Sequence, residues 1–245
     1  MARLSSSLSR SLLDVLLPSS CVLCGALGGE AVCQACSQAC VGEVQPRCPS
    51  CANPAGAQDS ERACGACLAD PPSFEATITA CAYAEPVDRL VLQLKFGSRL
   101  ALAPWMAGRL RGAVLSRTAS RGLALPDLLC PVPLGPRRLV ERGYNQALEM
   151  ARPLSAALGI ALAPRLLDRC VETAAQSGVA PGERRDNVRG AFAVADGHGS
   201  LQGRHIGVVD DVMTSGHTLD EIAGVLKRAG AARVTNFVFA RTPPH

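Results

Sequence analysis

Four Cys-x-x-Cys pairs lie between residues 21 and 67: Cys21/Cys24, Cys33/Cys36, Cys48/Cys51 and Cys64/Cys67. Nothing else constrains the fold of this 245-residue chain as tightly. Residues 18–75 are rich in Cys, Gly, Ala and Pro and show no sustained periodicity. Pieces that short cannot close a core by apolar burial and need staples. A C-x-x-C turn offers two thiolates to one metal ion at about 2.3 Å, and two such turns complete a tetrahedron. The eight thiols therefore make two four-sulfur sites. Such sites are closed and structural, because no ligand position is left for water or substrate. The simple assignment is sequential, with Cys21, Cys24, Cys33 and Cys36 in one site and Cys48, Cys51, Cys64 and Cys67 in the other. Interleaved pairing satisfies the same spacing. The paired-turn layout points to zinc; disulfides in an oxidising compartment and a four-Cys iron–sulfur cluster are the alternatives. Gly25 and Gly65, each directly after a Cys, suit the tight turn of a knuckle. Cys40, Cys81, Cys130 and Cys170 fall outside the pattern and read as packing cysteines, with Cys40 a spare thiol.

Ahead of the cysteine segment, residues 1–17 read as an amphipathic helix from about Leu8 to Leu17. Asp14 interrupts its apolar run and no clean small-x-small cleavage site follows, which argues against a secretory signal. No run is long enough to span a bilayer, and the thiol-metal reading suits a reducing, cytoplasmic setting.

From residue 76 the pattern becomes α/β. Strands are expected over Ile78–Tyr83, Leu128–Val132, Ile206–Val209 and Val234–Ala240. Helices are expected over Val87–Phe96, Leu100–Leu115, Asn145–Leu158 and Thr218–Arg228, the last two closed by Gly159 and Gly230. Strand-helix alternation with short connections implies a mostly parallel sheet covered on both faces. Three segments result: an N-terminal helix (1–17), a small cysteine module (18–75) and an α/β domain (76–245). The polar stretch between Cys170 and Gly190 is too long for an ordinary connection and reads as a functional loop.

Charge is uneven. Residues 1–80 carry four Arg against seven acids, while the remainder carries 21 Lys and Arg against 14 acids. Between Arg89 and Pro126 there are seven cations and no acid. Gathered on one face, they would attract a phosphate-bearing partner such as single-stranded DNA; scattered, they only solvate helices. Aromatic residues are 3% of the chain, so few rings are available to stack on bases.

The most informative segment runs from Ile206 to Thr218. An apolar strand enters two adjacent acids, Asp210 and Asp211, then a loop of Met213, Thr214, Ser215, Gly216, His217 and Thr218, then a helix. Backbone N–H groups at a helix start favour an anion. Gly216 permits close approach, hydroxyls add donors, and the carboxylates accept from vicinal hydroxyls. A phosphate beside a diol describes a ribose 5-phosphate. Helix capping by Thr218 or Ser215 explains one hydroxyl but not two acids at the end of a buried strand.

This segment resembles the PRPP-binding motif of type I phosphoribosyltransferases. Together with the cysteine pairs, Leu94-Lys95-Phe96, Pro131-Val132-Pro133, Arg137-Arg138, Arg142-Gly143-Tyr144-Asn145-Gln146 and the stretch Gln176–Phe192, it resembles the ComF family, linked to DNA uptake. Members of that family look like a double zinc ribbon joined to a phosphoribosyltransferase domain. The resemblance runs from about Cys21 to Arg241. Tyr144 stands where Phe is commoner, and His217 takes the variable loop position, where it contributes its N–H. The resemblance implies a PRPP-binding enzyme with two structural zinc ions. Asp210 and Asp211 would hold the ribose hydroxyls and residues 213–218 the 5-phosphate. Arg137, Arg138, Arg142 and Gly143 would lie at the pyrophosphate, and Arg184, Arg185 and Arg189 in a closing loop. Mg²⁺ would accompany PRPP, held mainly by substrate oxygens and water. Implied partners are PRPP, single-stranded DNA and DNA-uptake proteins. A DNA-binding protein that reuses the fold without catalysis is the competing reading. A zinc-dependent hydrolase is excluded because neither four-Cys site leaves an open position. No segment marks a particular acceptor pocket.

Overall fold

A computed structural model describes residues 19–40, 45–56, 62–171, 188–197 and 199–243. The helix expected over Leu8–Leu17 and most of the polar stretch before Gly190, with Arg184 and Arg185, lie outside those residues.

The cysteine module is two copies of one local design. In the first, β1 (Ser19–Ser20) pairs antiparallel with β2 (Leu27–Gly28), and helix α1 (Gln34–Ala39) starts directly after Cys33. In the second, Arg47 and Pro54 form an antiparallel bridge and helix α2 (Gly65–Ala69) starts directly after Cys64. The two cysteines that precede the helices share one extended conformation, φ −64°, ψ 161° at Cys33 and φ −68°, ψ 162° at Cys64. The tight-turn expectation holds for Gly25, at φ +73°, but not for Gly65, which opens α2. The matching turn of the second copy falls on Ala52, at φ +56°.

The α/β portion is a five-stranded sheet, all parallel, in the order β3–β9–β8–β4–β5. Its strands are β3 (Ala76–Ala82), β4 (Leu128–Pro131), β5 (Ala161–Leu162), β8 (His205–Met213) and β9 (Arg233–Arg241). A separate antiparallel pair joins β6 (Leu167–Arg169) to β7 (Phe192–Val194). Among the described residues five helices follow the cysteine module: α3 (Val87–Phe96), α4 (Leu102–Arg121), α5 (Pro136–Arg142), α6 (Gln146–Leu158) and α7 (His217–Arg228).

Two clusters of apolar side chains fill the two faces. Val208, Met213, Leu219, Ile222 and Leu226 bring β8 and α7 together. Leu90, Leu94, Met106, Leu110, Met150, Val209 and Phe237 join α3, α4 and α6 to the other face. There Trp105 meets Phe239 edge-on at 5.9 Å. Cys48 and Cys51 belong to the first cluster, so the second cysteine unit is packed onto the sheet rather than tethered beside it. The Thr77 N–H also donates to the Pro49 carbonyl, at 3.3 Å.

Several boundaries differ from the sequence expectation. α4 continues six residues beyond Leu115, through a polar tail that helix propensity tolerates, to a left-handed Gly122. α5 is an additional helix, with Pro136 at its first position and left-handed Gly143 closing it. β8 runs through both acids to Met213, because β9 keeps pairing along it. Among the described residues no helix is long and apolar enough to cross a membrane.

Candidate functional site

In each cysteine unit the four Sγ atoms lie within 4.8 Å of one another, and the grouping is sequential. A tetrahedron with metal–sulfur bonds of 2.3 Å has sulfurs about 3.8 Å apart. Cys24 and Cys33 are separated by 3.7 Å, and Cys51 and Cys64 by 3.6 Å. The Cys33 N–H donates to Cys21 Sγ at 3.4 Å, and the Cys64 N–H repeats this on Cys48 Sγ at 3.2 Å. Burial is the largest influence and opposes ionisation of Cys21 and Cys48, but several donors together outweigh it, led by the Cys33 amide on Cys21 and the Cys51 and Cys64 amides on Cys48, and bring the thiols down to about 6 and about 7. Their neighbours move the other way: hydrogen bonds that the Cys36 thiol gives to Cys24 and Cys33 push it up, and burial with Cys51 pushes Cys67 up. Four sulfurs this close cannot all ionise without a cation among them. Both groups fit a tetrahedral thiophilic ion such as zinc.

Of the four other cysteines, Cys40 and Cys130 are buried and Cys81 is half-buried. Burial lifts Cys81 and Cys130 to about 12, which suits inert packing. Cys170 is exposed, contrary to the packing expectation, because the chain leaves the β6–β7 pair there.

The second site lies at the C-terminal ends of β4 and β8, the end at which open parallel sheets bind ligands. The Ile206–Thr218 segment forms a strand, a tight loop and helix α7. Gly216 caps α7 at φ +91°, a left-handed conformation that favours glycine, and a Cβ there would also press on Met213 Cε at 2.6 Å. Asp210, Thr214, Gly216 and Thr218 line a cleft of about 50 Å³ backed by Met213 and Leu219. The Met213 side chain is buried in the α7 cluster and forms a wall of the cleft. Ser215 is exposed at the loop tip and His217 opens the helix.

The structure divides the two acids. Asp210 faces the cleft, its Oδ1 accepting the Asp211 N–H at 2.9 Å. Burial, and then the adjacent Asp211 carboxylate, hold its carboxyl well above the usual range. Asp211 is 2% exposed and faces the α3 and α6 side. Lys95 Nζ lies 2.6 Å from its Oδ2, and Gln146 Nε2 donates to its Oδ1 at 3.0 Å. Both oxygens of Asp211 are thus engaged within the protein.

Two sequence motifs meet at this pair. Lys95 comes from Leu94-Lys95-Phe96 at the end of α3, and Gln146 from the segment Arg142–Gln146. Tyr144 Oη donates to the Leu94 carbonyl. Asn145 Nδ2 donates to the Val132 carbonyl at 2.9 Å while its Oδ1 caps α6. Arg142 lies over the Phe96 ring, 5.2 Å from its centre, and donates to Gln146 Oε1. In the sequence Lys95 is one of a run of cations, and the bracing role of Tyr144, Asn145 and Gln146 has no local signature, because the partners lie 13 residues away for Asn145 and 50 or more for Tyr144, Gln146 and Lys95.

The remaining arginines are scattered. Arg137 and Arg138 stand on α5, where Arg137 pairs with Glu141 at 2.8 Å on the exposed face. Arg189 is exposed beside Gly190, whose N–H donates to Glu221 of α7 at 3.1 Å. The seven cations from Arg89 to Arg121 do not share a face. Arg89 pairs with Glu85, Lys95 with Asp211, and Arg111 donates to the Ala157 carbonyl. Three of them, Arg109, Arg117 and Arg121, line a groove of about 660 Å³ beside β3, which Arg47 enters from the cysteine module. This groove is separate from the cleft at the end of β8.

Residues 12–68 match the double zinc ribbon domain family. The chain is 38% identical over 229 residues to the DNA utilization protein YhgH of Escherichia coli O157:H7, covering 92% of this chain and 98% of that protein. It is 33% identical over 178 residues to Competence protein F of Haemophilus influenzae, covering 73% and 78% respectively. A purine phosphoribosyltransferase from Pyrococcus horikoshii aligns over 57% of this chain and 84% of that one, at 19% identity and a TM-score of 0.32. An overlay that loose adds nothing to the strand order already described. With 38% identity along almost the full length of one relative, and a double-zinc-ribbon segment holding two cysteine tetrads, the chain belongs to the ComF family.

Proposed function

We propose that this protein binds PRPP and acts as a phosphoribosyltransferase, with two structural zinc ions, in the cytoplasmic handling of incoming DNA. The reading divides the chain into an N-terminal helix (1–17), a double zinc ribbon (18–75) and a phosphoribosyltransferase-type domain (76–245). The observation that carries it is the cleft at the end of β8, where a half-buried carboxylate adjoins a glycine-capped helix start. Amides and hydroxyls from Thr214 to Thr218 hold the 5-phosphate, and Asp210 accepts from the ribose hydroxyls. Asp211 positions that strand end through Lys95 and Gln146. The cationic groups Arg137, Arg138, Arg184, Arg185 and Arg189 serve the pyrophosphate side. Mg²⁺ arrives on PRPP oxygens and neutralises the leaving pyrophosphate. The names of the two relatives, a DNA utilization protein and a competence protein, support the setting.

Calorimetric titration with PRPP and Mg²⁺ tests this. Asp210→Asn should abolish binding with the far-UV spectrum unchanged. The elevated Asp210 carboxyl adds a signed expectation. The unliganded site keeps a proton that an ordinary carboxyl has lost, and ribose hydroxyls favour the carboxylate, so binding releases a proton and affinity rises with pH. Its raised value in the folded state also contributes stability only at low pH, lost as pH rises through that value. Asp210→Asn should therefore be the more stable protein at neutral pH. Unaltered PRPP affinity in the variant would remove the site assignment.

A second reading, single-stranded DNA binding, is favoured by the groove of Arg47, Arg109, Arg117 and Arg121. Replacing Arg109 and Arg117 with Gln should weaken DNA binding and reduce the log–log salt slope by about 0.7 per lost phosphate contact. PRPP binding should be unaffected, and equal DNA affinity in both proteins would dismiss the groove. Lys95 does not belong in that test, because it neutralises Asp211.

A further inference from the structure

Arg241, the last residue of β9, is 4% exposed. Its guanidinium reaches two places at once. Nε donates to the carbonyl of Cys51, in the second cysteine tetrad, at 2.9 Å. Nη1 donates to the carbonyls of Met213, at 3.0 Å, and of Thr214, the first two residues of the phosphate loop. The Met213 carbonyl also accepts the Thr242 N–H at 3.0 Å. The loop's carbonyls are therefore drawn to the sheet side, away from the cleft, where they would repel an anion. A planar fork with fixed donors imposes this geometry; an ammonium does not.

The charge accounting points the same way. A zinc ion with four thiolates carries two net negative charges, and it would sit within a few bonds of a buried guanidinium whose neutral partners are carbonyls. Without metal the Cys51 turn loses its link to the other three sulfurs, and the carbonyl that anchors the Arg241 fork is no longer fixed. With metal, the Cys51 turn is rigid and the cation is both held and compensated.

We propose that Arg241 is a positioning residue that couples the second cysteine tetrad to the phosphate loop, so that metal at Cys48, Cys51, Cys64 and Cys67 raises affinity for the 5-phosphate group. The inference rests on the phosphate-loop reading above. Coupling of two binding events is reciprocal. A sugar phosphate in the cleft must then slow metal loss from the second tetrad and not from the first, which has no such contact among the described residues.

The probe is ribose 5-phosphate with the zinc-loaded full chain. Zinc release to a chromogenic chelator should be biphasic. Saturating ribose 5-phosphate should slow one phase several-fold and leave the other unchanged. Substituting Cys33 and Cys36 with Ser should remove the unresponsive phase. Arg241→Lys, which keeps the charge but not the fork, should bind ribose 5-phosphate about tenfold more weakly and lose the protection while retaining two zinc ions. Equal slowing of both phases, no slowing of either, or parental affinity in Arg241→Lys would overturn the coupling. The release experiment on the parent protein stands even if the variant fails to fold. Absence of ribose 5-phosphate binding in the parent would remove the phosphate-loop reading itself, and the coupling with it.

Discussion

At Gly25 and Ala52 the two knuckles solve one turn with different residues. Both adopt positive φ, +73° and +56°. A Cβ on Gly25 would meet nothing within 4 Å, so Gly25→Ala meets only the conformational penalty, about 1 kcal/mol. Ala52 is 1% exposed, so its methyl contributes about 0.8 kcal/mol by burial, which offsets most of the same penalty. Thermal denaturation of the zinc-loaded protein should show Gly25→Ala destabilised by about 1 kcal/mol and Ala52→Gly within about 0.5 kcal/mol of the parent. A reversed order would mean that the second turn is held by its packing alone. This difference is invisible in the sequence, where Gly25 and Gly65 look like the matching pair.

At the scale of elements, β8 carries its two acids to different destinations: Asp210 to the cleft, Asp211 to the helices behind it. The ion pair with Lys95 is largely enclosed, the two side chains being 23% and 3% exposed. Removing one partner of such a pair strands the other, and Lys95→Gln should cost about 3 kcal/mol. Asp211→Asn should be similarly costly, and the double variant should recover more than about 1 kcal/mol relative to the sum, read by urea denaturation. Additive losses would show the pair to be unimportant. An Asp211 substitution thus changes stability as well as ligand binding, and only Asp210→Asn reads the cleft cleanly.

For the whole molecule, the second cysteine unit lies inside the cluster that holds α7 to the sheet. Metal removal should therefore lower the denaturation temperature of the α/β portion itself, rather than unfolding a separate appendage. Mass spectrometry under native conditions should find two zinc ions per chain, and calorimetry should show the main transition fall on chelation. A main transition that stays in place would make the cysteine module an independent unit.

What the residues alone determined was local. Cysteine spacing dictated two tetrads, apolar runs dictated a parallel α/β sheet, and the acid–loop–helix segment dictated a strand, a glycine turn and a helix start around a small cleft, because each depends on neighbours within a few positions. Whether the tetrads were sequential or interleaved, whether the cations shared a face, and what the Lys95 and Arg142–Gln146 motifs were for depended on contacts between distant segments. Lys95 meets Asp211, Tyr144 meets Leu94 and Arg241 meets Cys51. Those pairings exist only once β8 and β9 have been laid beside β3 and β4, since a side chain's charge and hydrogen-bonding capacity are written in the sequence but its partner is chosen by packing.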